Sequence, residues 1–249
     1  MLLRRVIEHV KTQNWFAVLL DFLIVVIGVF MGIQVNNWNE ERLLRAEETF
    51  FLQRLIDDFR ASIEASEQEA GVTERQGRQA TVVLSSLDNC HVEVADRTDF
   101  AQGIYTLGKF DSIQYVQTAF EELKSTGKFG VISNVDLRNK ISELGREVQV
   151  HVSATDTVRT WLAPHIHFIE QRVRFDVTGA RGGNAAFDWQ NLNFDLDDVC
   201  RDQQFRNSIA AVRNHTYVWL GWSRSLIGEM NAVKESLEAE LAAKTNAAD

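Results

Sequence analysis

Among the residues of this 249-residue chain whose types could do chemistry, Asp21 keeps the least ordinary company. It is the single charge in residues 15–35, WFAVLLDFLIVVIGVFMGIQV. A carboxylate among hydrocarbon costs several kcal/mol unless it is shielded, so it marks a group that exchanges protons or pairs with a neighbour. At roughly 100° per residue, Asp21 shares one narrow helical face with Gly28 and Gly32. That glycine pair has the GxxxG spacing that lets two helices approach closely. An oligomer packed on this face would bury the carboxylate. The competing reading places Asp21, six residues past Trp15, shallow in the headgroup region and hydrated there.

The remaining candidates are sparser. Cys90 and Cys200 are the only cysteines. In an oxidising compartment they could join two distant parts of the chain by one disulfide; otherwise they are two free thiols. His91 beside Cys90, and His165 and His167 beside Pro164, invite a zinc reading. Structural zinc sites, however, use paired cysteines or histidines a few residues apart. Positions 165 and 167 would point to different faces of a helix, so no metal and no cofactor is expected. Gly179, Gly182 and Gly183 with Arg181 do not follow a strand and open a helix, as a phosphate loop requires. They read as a flexible connection. No local nucleophile motif couples the serines, histidines and acids. The sequence therefore predicts no enzyme. Tyr217, Trp219 and Trp222 gather on one segment, with Trp222 off its main apolar stripe and free to face a partner or ligand.

These residues depend on the elements that carry them. About 20 apolar residues cross a hydrocarbon core roughly 30 Å thick. Trp15 and Trp38 bracket the apolar run, where interfacial tryptophans belong. The run is longer than the roughly 7–15 residues of a cleaved signal, and Asn36-Asn37-Trp38 offers no small-residue cleavage site. A transmembrane helix over 15–37 is predicted. Arg4, Arg5 and Lys11 precede it; Arg42 and Arg45 follow. By the positive-inside rule, residues 1–14 form a cytoplasmic or interfacial N-terminus, with Leu3, Val6, Ile7 and Val10 on one stripe. The large domain, 38–243, then lies outside the cytoplasm, and residues 244–249 form a disordered tail.

Net charge is −9, with +1 in residues 1–39 and hence −10 in the rest. So acidic a domain argues against nucleic acid, whose phosphates need clustered Lys and Arg. Pro164 is the only proline, where average usage of about 5% would give a dozen. Since proline breaks helix interiors, its scarcity permits long helices. The fold class predicted is all-α: the transmembrane helix continues into an elongated bundle of long amphipathic helices.

Leu44, Phe51, Leu55, Phe59 and Ile63 recur at helical spacing, so the helix should run on from the span. A bend is expected at Gly71 and Gly77, with resumption to about residue 88. Short helices are expected near 98–107 and over 113–126, the latter closed by Gly127. Ser133 and Asp136 look like the capping start of a long helix. Its stripe runs from Leu137 through Ile141, Leu144, Val148, Val152, Thr155, Val158 and Leu162 to Val173, with a kink at Pro164. Residues 176–200 read as irregular. Asp202 is a plausible cap for the last helix, whose stripe runs from Phe205 to Leu241.

Residues 25–42, VVIGVFMGIQVNNWNEER, resemble the anchor signature of a bacterial family of single-span membrane proteins, a domain of unknown function. Residues 120–132 (FEELKSTGKFGVI) and Phe205-Arg206-Asn207 are similar to two further stretches of that family. Its members commonly carry an acidic residue early in the span, as Asp21 is here. The resemblance implies the same single-pass topology and no particular activity.

The expected role is a membrane-anchored structural or interaction protein of the bacterial inner membrane, with its C-terminal domain in the periplasm. Its expected partners are the lipid bilayer and either further copies of itself or another envelope protein. Two alternatives stand beside this. One is a proton-coupled subunit using Asp21, similar in layout to flagellar-stator and Ton/Tol subunits. The other is a ligand-sensing helical bundle.

Overall fold

The computed structural model describes residues 15–176 and 187–246. The chain divides into two units, Met1–Phe50 and Phe51–Asp249. Helix α1 covers Trp15–Asn89, 75 residues. Within the first unit it carries the one helix segment of the described residues that is long and apolar enough to cross a membrane. An 18-residue window there has a mean hydropathy of 2.1, and none of it is buried.

The bend expected at Gly71 and Gly77 is absent; α1 passes through both. Gly77 serves a close approach instead. A Cβ there would stand 2.9 Å from Cζ of the Tyr217 ring. The helix ends where Cys90 takes a left-handed backbone, φ 46°. The His91 N–H then donates to the Ser86 carbonyl and that of Cys90 to Leu87, at 3.1 and 3.3 Å. This pair of bonds satisfies carbonyls that a helix end leaves unpaired.

In the second unit three long helices form an all-α bundle: α1 from Phe51 on, α4 (Val135–Arg172) and α6 (Gln203–Asn246). Contacts fix their directions. Asn134 meets Glu240, His151 meets Ser223 and His165 meets Ser208, so α4 and α6 are antiparallel. Glu74 with Arg224 and Asp88 with Arg206 show that α1 is also antiparallel to α6. Between them lie α2 (Arg97–Tyr105), α3 (Thr118–Ser125) and α5 (Leu196–Arg201). A small antiparallel pair joins β1 (Arg174–Phe175) to β2 (Leu192–Asn193), with Phe175 opposite Leu192.

Local chemistry explains several boundaries. The helix expected over 113–126 is confined to α3, because residues 113–117 run beside α1 without helical structure. There Ser66 Oγ donates to the Gln114 carbonyl and accepts from its N–H, while Ser62 Oγ accepts from Val116 N–H. Asp58 accepts from the Ala119 N–H at 2.7 Å. Side chains of α1 thus replace helical bonds for this strip. Gly127 follows α3 with φ 71°, the left-handed conformation expected there. Asn134, rather than Ser133, caps α4 by accepting from the Leu137 N–H. Helix α4 runs on through Pro164. Asp202 accepts from the N–H groups of Gln204 and Phe205 at the start of α6. Helix α6 reaches Asn246, past the expected boundary at 243.

The core is in two parts. One gathers Phe51, Leu55 and Phe59 with Leu137, Ile141 and Leu226. The other gathers Val83, Leu87, Phe100, Leu162, Phe205 and Ile209. Between them each long helix contributes buried polar residues: Thr73 on α1, His151 and Thr155 on α4, Thr216 and Ser223 on α6. Burying each large apolar side chain contributes about 1.5–3 kcal/mol; in the polar belt His151 meets Ser223, and Thr155 and Thr216 donate to carbonyls of their own helices.

Candidate functional site

Asp21, Gly28 and Gly32 lie on the exposed part of α1. A Cβ added at either glycine would meet nothing within 4 Å, so among the described residues nothing covers the face of the GxxxG pair. Trp38 is 60% exposed. The side chain of Trp15 lies outside the described residues, as do Arg4, Arg5 and Lys11 and the glycines at 179, 182 and 183.

Cys90 and Cys200 are bonded, with Cα atoms 5.4 Å apart across a separation of 110 residues. The bond ties the end of α1 to α5. It decides between the two readings left open for the cysteines.

The histidines are dispersed. His91 is exposed, with Nε2 3.5 Å from a Glu93 oxygen. Nδ1 of His165 is 3.2 Å from Ser208 Oγ on α6, and His167 is exposed. Among the described residues, no group of three or more His, Cys, Asp and Glu is placed to hold a metal ion.

The aromatic residues of α6 divide by environment. Trp219 is buried and donates its indole N–H to the Asp111 carbonyl at 3.1 Å. Tyr217 lies under the Arg213 guanidinium. Trp222 is 37% exposed, off the buried stripe as its position suggested. Trp219 and Trp222 both flank His151, with ring centroids 4.1 and 4.8 Å away.

Sequence reasoning passed over His151. Apolar spacing places Val148, Val152 and Thr155 on the stripe of α4, yet Val152 is 38% exposed and His151 is fully buried. Both choices fit helical spacing; preferring the more apolar residue gave the wrong one. His151 Nε2 lies 3.1 Å from Ser223 Oγ, whereas Nδ1 has no partner among the described residues. Burial disfavours the charged ring and lowers its pKa from 6.5 to about 4, so the imidazole is neutral near pH 7.

A second feature had no signal in the linear sequence. A cavity of about 190 Å³ opens between the end of α2, the C-terminal half of α4 and the β1–β2 pair. Ile104, Leu107, Ile166, Ile169 and Val173 form its walls. Tyr105, Phe175 and Phe187 line one side, with Tyr105 stacked on Phe187 at 3.5 Å and Phe175 edge-on to both. Among the described residues, Lys109 and Glu170 are its charged lining residues, both exposed. The Lys109 ammonium sits 3.2 Å from the centre of the Tyr105 ring.

No protein-family model, curated protein or solved structure matches the chain.

Proposed function

We propose that this chain is a single-pass protein of the bacterial inner membrane whose helical domain docks on another copy or on a second envelope protein. The observation that carries this reading is the 18-residue window of mean hydropathy 2.1 on α1, with no part of it buried. Water would penalise so much exposed apolar surface, and a bilayer removes the penalty. The Cys90–Cys200 bond supports a domain on the oxidising, periplasmic side, since disulfides persist there and are rare in the cytosol. The likeness of residues 34–42 to the single-span bacterial family supports the same topology. Asp21 gives a reason for partnership: a second helix on the Asp21–Gly28–Gly32 face would shield the carboxylate from lipid.

Alkaline phosphatase, active only in the periplasm, tests the orientation when fused after Asp249; high activity is expected. Crosslinking in intact membranes tests the association. A dimer or hetero-complex band is expected, weakened by Gly28→Leu with Gly32→Leu. An inactive fusion would overturn the orientation, and monomer alone in both chains would overturn the docking role.

A further inference from the structure

The cavity between α2, α4 and the β1–β2 pair has the composition of a ligand site rather than a packing defect. Its volume, about 190 Å³, exceeds the roughly 150 Å³ of an engineered apolar cavity that stays dry and takes up benzene. That size admits a six-membered ring with a small substituent. Its aliphatic walls, Ile104, Leu107, Ile166 and Ile169, offer no hydrogen bond to water. Ring edges and faces from Tyr105, Phe175 and Phe187 favour a flat aromatic guest in edge-to-face or offset contact.

Charge then selects the substituent. Lys109 is an obligate donor, held against the Tyr105 ring, and Glu170 is an acceptor. A carboxylate on the guest would gain the first and be repelled by the second; an ammonium would meet the reverse. A neutral hydroxyl can accept from the ammonium and donate to the carboxylate at once. We propose that this cavity binds a small single-ring phenol, with the ring among the aliphatic walls and the hydroxyl at the mouth between Lys109 and Glu170. This assignment does not rest on the membrane topology.

Fluorine NMR on the full chain in lipid nanodiscs tests it, with protein-free nanodiscs correcting for partition into lipid. The probes are 4-fluorophenol, 4-fluorobenzoate and fluorobenzene. The expected result is a saturable bound signal for 4-fluorophenol, at least fivefold tighter than for either of the others. Ile166→Phe, which fills the cavity, should abolish it. Lys109→Met leaves the walls intact and should weaken 4-fluorophenol at least fivefold while leaving fluorobenzene unchanged, so the test survives if Ile166→Phe fails to fold. Equal affinities for phenol and fluorobenzene, a preference for the benzoate, or phenol binding unchanged in Lys109→Met would each overturn the proposal.

Discussion

His151 is neutral near pH 7 because it is buried against Trp219 and Trp222, and that neutrality makes the bundle sensitive to acid. Its folded pKa, about 4, lies below the ordinary 6.5, so the unfolded chain binds a proton more readily. The stability it contributes is complete above about pH 6.5 and is lost as pH falls towards 4, by at most about 1.4 kcal/mol per pH unit. Burial raises the carboxyls of Glu69 and Glu229, and like-charged Glu147 and Glu143 add to the rise at Glu229. These two act in the opposite sense, weakening the fold as pH rises above 4.5 through their folded values. The stability difference between the wild type and His151→Phe cancels the carboxyl contributions. It should shift by about 2–3 kcal/mol between pH 7 and pH 4 in urea titrations, to the wild type's disadvantage at low pH. Parallel curves would show that the ring's burial has no such consequence. Gly103 offers a second test at this scale. A Cβ there would stand 2.7 Å from the Gln79 carbonyl oxygen, a backbone atom of α1 that cannot move aside. Gly103→Ala should lose about 1–3 kcal/mol. Gly145→Ala on α4, with nothing within 4 Å, should gain about 1 kcal/mol from helix propensity.

At the scale of elements, the joint between α1 and α5 matters most. The left-handed turn at Cys90 disfavours a non-glycine residue by about 1–2 kcal/mol, and the disulfide to Cys200 holds it in place. Closing 110 residues into a loop restricts the unfolded chain. Cys90→Ser with Cys200→Ser should therefore destabilise the domain by about 2–4 kcal/mol while far-ultraviolet circular dichroism retains its helical signal. An unchanged unfolding midpoint would mean that α5 is held by packing alone. The ion pairs Glu74–Arg224 and Asp88–Arg206 mark the antiparallel course of α6 against α1 but, being exposed, add little to stability.

For the whole molecule, the exposed apolar surface of α1 is the dominant physical fact. Phe22, Ile24, Ile27 and Phe30 lie uncovered on it. If this surface spans a bilayer, as proposed, the full chain should stay in the membrane pellet through an alkaline carbonate wash. An arginine near the centre of a span costs about 2.5–3.5 kcal/mol. Ile27→Arg combined with Phe30→Arg should release the chain into the supernatant, and continued retention of this variant would argue that something other than the span holds it. The folded part is layered differently, with two apolar clusters along three helices and the His151–Ser223 belt between them. Within this belt the His151–Ser223 bond joins α4 to α6, so sliding either helix by one turn would break it, whereas Thr155 and Thr216 bond carbonyls of their own helices.

Periodicity and composition alone determined the all-α class, the long apolar segment with Asp21 in it, the capping role of Asp202 and the left-handed Gly127. Each follows from a local rule: side-chain spacing, hydropathy, or a backbone conformation that one residue type adopts easily. Tertiary structure alone decided the pairing of Cys90 with Cys200, the non-helical course of residues 113–117 beside α1, the use of Gly77 as a contact rather than a bend, and the burial of His151 in place of Val152. It also decided the cavity, whose walls come from residues more than 60 positions apart in the chain, Ile104 and Ile169 among them. Those outcomes depend on which distant groups meet, and helical spacing constrains only neighbours on the same helix.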